Sequence, residues 1–120
     1  MYCKEHAIVL TCDGSGDCTA YLAAKTGRVL TLRFDMNTLA ATADFVVSNA
    51  ETGEVILTES IAADAFRRPR TVTQNAAGAA ANYASSYPVL EPCYLANQRV
   101  KVVVAQGGAL GAGVLYVGIG

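Results

Sequence analysis

The chain has 120 residues, of which 52% are hydrophobic and 16% are charged, and its formal net charge is −1. This length predicts a single domain covering residues 1–120. The near-neutral charge argues against nucleic acid or an anionic membrane surface as a partner, and the sequence has no apolar run of the roughly 20 residues that cross a bilayer.

The first residues, Met1 to His6, lack the charged-then-apolar order of a secretion signal. We therefore expect the protein to fold in a reducing cytoplasm, where cysteines are thiols rather than a disulfide framework. The four cysteines are Cys3, Cys12, Cys18 and Cys93. Cys12 and Cys18 flank a turn, and the pattern leaves open whether they form a disulfide after exposure to oxygen or stay buried thiols. Met1 to Glu5 precede the first strand pattern and are predicted to form a short N-terminal arm.

Four segments in the first half of the chain alternate apolar and polar residues, which is typical of half-buried strands. These segments are His6 to Cys12, Gly27 to Asp35, Asp44 to Asn49 and Glu54 to Ser60. The second segment places Leu30, Leu32 and Phe34 on its inner face. A short loop ending in Gly53 joins the last two segments and predicts a hairpin.

The second half begins with an arginine cluster around Pro69 and continues into a long Ala-rich loop, residues 75–87. Pro88 to Leu95 then reads as an edge or bulged strand, because prolines are tolerated there. Two more strands, Arg99 to Ala105 and Val114 to Ile119, are predicted to form a closing hairpin around the glycine-rich turn between them. Val100, Val102 and Val104 are expected to face the core.

Together these segments predict an all-β, single-domain antiparallel β-sandwich of about seven to eight strands, because turn signals recur at the spacing of sandwiches. The pattern leaves open whether the sandwich is a jelly roll or immunoglobulin-like. We expect the whole chain to form this one domain.

The candidate chemical motifs are incomplete. Asp13 to Asp17 has oxygen ligands at alternate positions, as the start of a calcium loop does, but Cys18 occupies the position of the required glycine. Ala24 to Gly27 lacks the upstream glycine of a phosphate loop and is predicted to be a turn. His6 is the only histidine, and no nucleophile motif accompanies it. We expect no catalytic, metal or cofactor site and no small-molecule substrate.

A series of stretches that covers nearly the whole chain beyond Val9 resembles a known group of proteins. The stretches are Gly27 to Phe34, Thr42 to Val47, Thr52 to Leu57, Arg68 to Arg70, Gly78 to Ala80, Pro88-Val89 and Arg99 to Gly108, and Pro69-Arg70 and Val104-Ala105-Gln106-Gly107-Gly108 are the most specific parts. In this order they resemble small structural proteins of tailed bacteriophages, encoded among the head and head–tail morphogenesis proteins. The resemblance implies a non-enzymatic virion protein that is assembled in the bacterial host cytoplasm.

Within that group, the resemblance favours a capsid cement or decoration protein, which binds the outer shell and stabilises joints between major capsid subunits. It implies the major capsid protein and further copies of this chain, for instance in a trimer, as partners. A head–tail neck or tail component is the alternative. A free carbohydrate- or protein-binding β-module is a further alternative, with Tyr83 and Tyr87 as its aromatic platform.

The interface residues expected from this hypothesis lie in segments with the least reason to be buried in the domain's own core. They belong to the N-terminal arm, the arginine corner and the Ala-rich loop. The candidates are Lys4, Glu5, Arg67, Arg68, Arg70, Asn75, Asn82, Tyr83 and Tyr87.

Overall fold

The computed structural model describes residues 3–84 and 87–120, and the regular elements of this part are all β-strands. Within these two described ranges, eleven strands follow one another. They are β1 (Lys4–Thr11), β2 (Cys18–Asp35), β3 (Asp44–Asn49), β4 (Val55–Ser60), β5 (Ala65–Arg67), β6 (Thr71–Val72), β7 (Asn82–Ala84), β8 (Tyr87–Pro88), β9 (Leu90–Glu91), β10 (Cys93–Ala105) and β11 (Ala112–Ile119).

Seven of these strands form one sheet, the main sheet, in the order β1-β11-β2-β10-β3-β4, and β5 pairs with β2 beside this path. All of its pairings are antiparallel. The predicted all-β, antiparallel architecture of about seven main strands is therefore confirmed. The predicted β3–β4 hairpin is also confirmed, with Val47 opposite Leu57.

The strand β2 is 18 residues long and connects two halves of the main sheet. Its first half pairs with β10, from Cys18 opposite Val104 to Val29 opposite Cys93. Its second half pairs with β11, from Val29 to Asp35. The turn predicted at Ala24 to Gly27 is wrong, because these residues continue the strand.

Two of the three residues predicted on the inner face of β2, Leu32 and Phe34, are buried, whereas a bulge changes the facing at Leu30. Thr31 lies opposite Gly118 and Val29 opposite Ile119, so Leu30 is an extra residue in the ladder. An extra residue exchanges the two faces of a strand. Val29 is consequently buried in the position predicted for Leu30, which is only half-buried.

The predicted closing hairpin is wrong, because β2 lies between β10 and β11 in the sheet. The glycine-rich segment after β10 does not turn back beside its own strand; it runs from beside Cys18, at the start of β2, to the neighbourhood of Asp35, at the other end of that strand. The facing of β10 is nevertheless as predicted: Val100, Val102 and Val104 are fully buried. The alternation of buried and exposed side chains within a strand depends only on the pleat of its backbone. It can therefore be predicted correctly even when the neighbouring strand is assigned wrongly.

Three connecting segments meet at one end of the main sheet, and we call residues 12–17, 36–43 and 106–111 the crossover junction. The Cys12 N–H donates to Gly111 O at 2.7 Å, the Ala40 N–H to Gly107 O at 2.8 Å, and the Gly107 N–H to Gly16 O at 2.8 Å. A Cβ at Gly107 would lie 2.7 Å from Cys12 Sγ, so this position requires glycine. Glycines at this junction allow the backbones of different segments to approach closely, and they do not form a hairpin turn.

The core lies against the main sheet and is largely aliphatic, as the composition indicates. Its two buried phenylalanines belong to different parts of the sheet. The Phe34 ring, in the second half of β2, meets the Phe45 ring of β3 edge to face, with centroids 4.9 Å apart. Since β3 pairs with β10, this contact joins the two halves of the sheet across the core.

Candidate functional site

Residues 71–91, between β5 and β10, form a separate lobe, which we call the side lobe. Its strand β6 pairs with β9 and its strand β7 with β8, so they make two small sheets. Backbone bonds fill the space between them: the Thr73 N–H donates to Val89 O, and the Ala81 N–H donates to Thr73 O. Within residues 75–87, where a long Ala-rich loop is predicted, the structure describes turns and bends at residues 76–79, the strand β7 and the first residue of β8.

The side lobe combines two properties that are unusual together. From Thr71 to Leu90 the sequence has no charged residue. In addition, none of its side chains that the structure describes is buried. The exposed large side chains are Val72, Tyr87, Val89 and Leu90. Uncharged apolar groups that the domain does not bury itself are typical of surfaces that contact another molecule.

The predicted interface residues of the lobe have different roles. Asn75 is a structural residue, because its Oδ1 accepts hydrogen bonds from the Ala77 and Ala79 N–H groups and closes the tip turn. Asn82 is an exposed residue of β7, opposite Pro88. Tyr87 is 59% exposed. The side chain of Tyr83 lies outside the part that the structure describes.

The arginine corner at the base of the lobe is occupied by contacts within the chain. Arg67 forms a bidentate pair with Glu59, with Nη2 at 2.6 Å from Oε2. This hydrogen bonding lowers the pKa of Glu59. Arg70 donates to Pro69 O at 2.7 Å. Arg68 lies over the ring of Phe66, with Cζ 5.5 Å from the centroid.

The predicted N-terminal arm is wrong at Lys4 and Glu5, since both belong to β1 and lie opposite Ile119 and Gly118. Met1 and Tyr2 lie outside the described residues. Glu5 accepts two hydrogen bonds from Arg33, at 3.0 and 3.1 Å. These hydrogen bonds hold the pKa of Glu5 below its usual value. Both side chains remain on the surface.

A second surface was not predicted from the sequence. Register places Tyr116 opposite Arg33, and Arg33 opposite Phe66, so the three form a row across β11, β2 and β5. Arg33 Cζ lies 3.9 Å from the Tyr116 ring centroid. Beside this row is an open depression of about 420 Å³, lined by Arg33, Asp35, Asp64 and Phe66 among others. Aromatic and ionic side chains therefore lie side by side at this open surface.

The row could not be found by sequence spacing because Phe66 and Tyr116 are far apart in the chain. The only signal was the outward position of Arg33 in its alternating strand. Which residues stand beside it depends on the order of the strands, and that order is decided by tertiary packing.

The candidate calcium loop, Asp13 to Asp17, forms a turn. The Asp13 carboxylate accepts hydrogen bonds from the Asp17 and Ser15 N–H groups, and these bonds lower its pKa and hold the turn. Within residues 3–84 and 87–120, no three His, Cys, Asp or Glu side chains are grouped as a metal ion would require. In the same part of the chain, no helix is long and apolar enough to cross a membrane.

Comparison of the chain with protein-family models, with curated proteins and with solved structures finds no match.

Proposed function

We propose that this protein is a non-enzymatic structural protein of a bacteriophage virion, and that it attaches through its side lobe to the outer surface of a shell of major capsid protein. The observation that supports this function is the side lobe itself. It has 20 residues without charge, from Thr71 to Leu90, held in shape by backbone hydrogen bonds and without a buried side chain among those described.

The lobe suits docking for an energetic reason. Burying apolar area stabilises an association by about 25 cal/mol per Å², and no buried charge has to be desolvated in this segment. Its Val72, Tyr87, Val89 and Leu90 side chains are large enough to contribute. Because backbone pairing orders the lobe in advance, less conformational entropy is lost on binding than for a flexible loop.

The scaffold that we propose is a β-sandwich. One layer comprises β4, β3, β10 and the first half of β2, and the other comprises β1, β11, the second half of β2 and β5. The edge-to-face contact of Phe34 with Phe45 supports two layers facing each other across the core. A rigid sandwich is a suitable body for a protein whose work is mechanical.

As a cement protein, the chain would bind neighbouring capsid subunits in the assembled shell and not the separated subunits. A ligand of one state stabilises that state by mass action. We also propose contacts between copies of the chain, as in a trimer. Static light scattering would then give a multiple of the 12.5 kDa chain mass, whereas a single chain at all concentrations would contradict self-association.

The test replaces the lobe while keeping its base. Val72 and Leu90 are paired in the β6–β9 ladder, so residues 73–89 can be replaced by Asn-Gly, the preferred two-residue hairpin connection. We expect this variant to fold and to lose binding to heads purified from the phage that encodes the chain, in a co-sedimentation assay. Undiminished binding would overturn the assignment of the lobe.

A matched pair of point variants separates binding from folding. Leu90 in the lobe and Val55 in β4 are similarly exposed, at 56% and 54%. Leu90→Ser should weaken head binding, and Val55→Ser should leave it unchanged. Imaging of labelled virions then tests the position: signal over the shell supports cement, and a ring at one vertex supports a neck or tail component.

The depression beside Phe66 favours one alternative, a free binding module for carbohydrate, because aromatic and carboxylate groups lie side by side there. If the labelled protein is absent from virions, a glycan array is the next experiment. Binding that is lost in Phe66→Ala and retained in the Asn-Gly lobe replacement would support this alternative.

A further inference from the structure

Two thiols meet at the crossover junction. Cys12 follows β1 and Cys18 begins β2, with only the turn at residues 13–17 between them. The Asp13 N–H donates to Asp17 O at 3.0 Å, and the Asp13 carboxylate accepts the Ser15 and Asp17 N–H groups, so the turn holds its two ends together. A Cβ at Gly107 would lie 2.7 Å from Cys12 Sγ and 3.1 Å from Val104 Cγ1. Cys18 lies opposite Val104 in the β2–β10 ladder, so the two cysteines are packed at the same place.

We propose that Cys12 and Cys18 form a redox site, a dithiol that a small-molecule disulfide such as oxidised glutathione converts to an intramolecular disulfide. The two cysteines are free thiols in this structure. Cys18 is half-buried and Cys12 is buried, so Cys18 is the sulfur that a solution oxidant reaches first. The neighbouring Cys12 is then in place to resolve the mixed disulfide.

The reaction balances in two exchanges. The Cys18 thiolate attacks one sulfur of oxidised glutathione, a mixed disulfide forms, and one glutathione leaves as the thiolate. The Cys12 thiolate then attacks the Cys18 sulfur, the Cys12–Cys18 bond forms, and the second glutathione leaves. The two protons of the protein thiols end on the two glutathione molecules, which take the electrons of the oxidation.

The surroundings make the thiol form the resting form. Burial, followed by the neighbouring Cys12, raises the pKa of the Cys18 thiol to about 11, against weaker opposing hydrogen bonds from the Thr11 and Val104 backbone. Asp13 and Asp17 line the same depression as Cys18 and add negative charge. Since only the thiolate reacts, oxidation should be slow at neutral pH and rise about tenfold per pH unit between pH 8 and 10.

The bond would close a short loop and tie β1 to β2 where the three connecting segments of the junction meet. Loop closure restricts the unfolded chain, so oxidation should raise Tm by about 5 °C or more. Gly107 and Gly111 of the third segment are already hydrogen-bonded to the loop, through Gly16 O and the Cys12 N–H. The cross-link would therefore stabilise the whole junction.

The experiment incubates the full chain with oxidised glutathione at pH 7, 8, 9 and 10, alkylates the remaining thiols after unfolding, and maps the peptides by mass spectrometry. We expect Cys12 to be linked to Cys18 and the buried Cys93 to be alkylated, whereas the exposed Cys3 carries either the alkyl group or a glutathione; the Tm rise should be reversed by dithiothreitol. The exposed Cys3 supplies the matched control: Cys3→Ser should keep the link and the Tm rise, and Cys18→Ser should lose both.

Four alkylated cysteines after incubation at pH 10 would overturn the proposal. So would a stable glutathione adduct on Cys18, because it would show that Cys12 does not reach the mixed disulfide. Peptide mapping of the unmodified chain decides the matter even if Cys18→Ser fails to fold.

Discussion

In the main sheet, alternate side chains of β10 are completely buried, whereas in the side lobe none of the described side chains is buried. Both regions are antiparallel β-structure with paired backbones. The difference is that the main sheet encloses a core and the lobe does not. Hydrophobic burial therefore stabilises one region, and backbone hydrogen bonds with local turns hold the other.

This difference indicates a division of labour. A region that provides stability has side chains that cannot change without loss of packing. In a region that is ordered but unburied, side chains can change without loss of stability. Packing therefore leaves these side chains free to suit contact with another molecule. The absence of charge from Thr71 to Leu90 is informative for this reason: a purely solvated surface would favour charged residues.

The largest effect is expected in the core of the main sheet. Phe34 is buried against Phe45, so Phe34→Ala should destabilise the protein by about 3–5 kcal/mol in urea unfolding. Phe34→Leu should cost less and remains measurable if the alanine variant does not fold. A loss below 1 kcal/mol for Phe34→Ala would break the comparison, since the sheet would then not depend on its core.

The next effect is expected at the crossover junction. A Cβ at Gly107 would lie 2.7 Å from Cys12 Sγ and 3.1 Å from Val104 Cγ1, so Gly107→Ala should cost about 1–3 kcal/mol through overpacking. Gly14 is the matched control, because a Cβ there meets no atom within 4 Å. Equal stability of Gly107→Ala and Gly14→Ala in the same urea titration would contradict the close backbone packing of the junction.

A smaller effect is expected at the ion pair between β4 and β5. Arg67 lowers the pKa of Glu59 from its ordinary value of 4.5. A carboxylate with a lowered folded-state pKa contributes stability that is present above pH 4.5 and is lost as pH falls through that lowered pKa. Glu59→Gln should therefore reduce Tm by about 2 °C at pH 7.

The Tm difference between Glu59→Gln and the unmodified protein should then shrink as the pH is lowered below 4.5, because both side chains become neutral. Calorimetric scans at pH 7 and pH 3 give this comparison directly. A Tm difference of the same size at both values would show that the contact acts through shape and not through charge.

The smallest effect on stability is expected in the side lobe. Leu90→Ser changes a side chain that is 56% exposed, so the free energy of unfolding should stay within about 0.5 kcal/mol. Hydrogen exchange sharpens the same contrast: lobe amides should exchange through local opening, and those of β10 only through global unfolding. Equal protection of the two regions would mean that the lobe is part of the cooperative core.

Features that depend on a single segment could be predicted from the sequence. Period-2 alternation identified the buried valines of β10, and the short loop ending in Gly53 identified the β3–β4 hairpin. Alternation is a property of the pleated backbone, so it can be read without knowing which strand lies beside it. The Ala-rich composition of residues 75–87 also predicted that this segment lies outside the core.

Tertiary packing selected which segments become neighbours. It placed β2 between β10 and β11, continued that strand through Ala24 to Gly27, and changed the facing of Leu30 by a bulge. It also paired Arg67 with Glu59 and aligned Arg33 with Tyr116 and Phe66. The physical reason is that strand pairing joins residues far apart in the chain, and the choice among partners is made by how well all strands together bury one core.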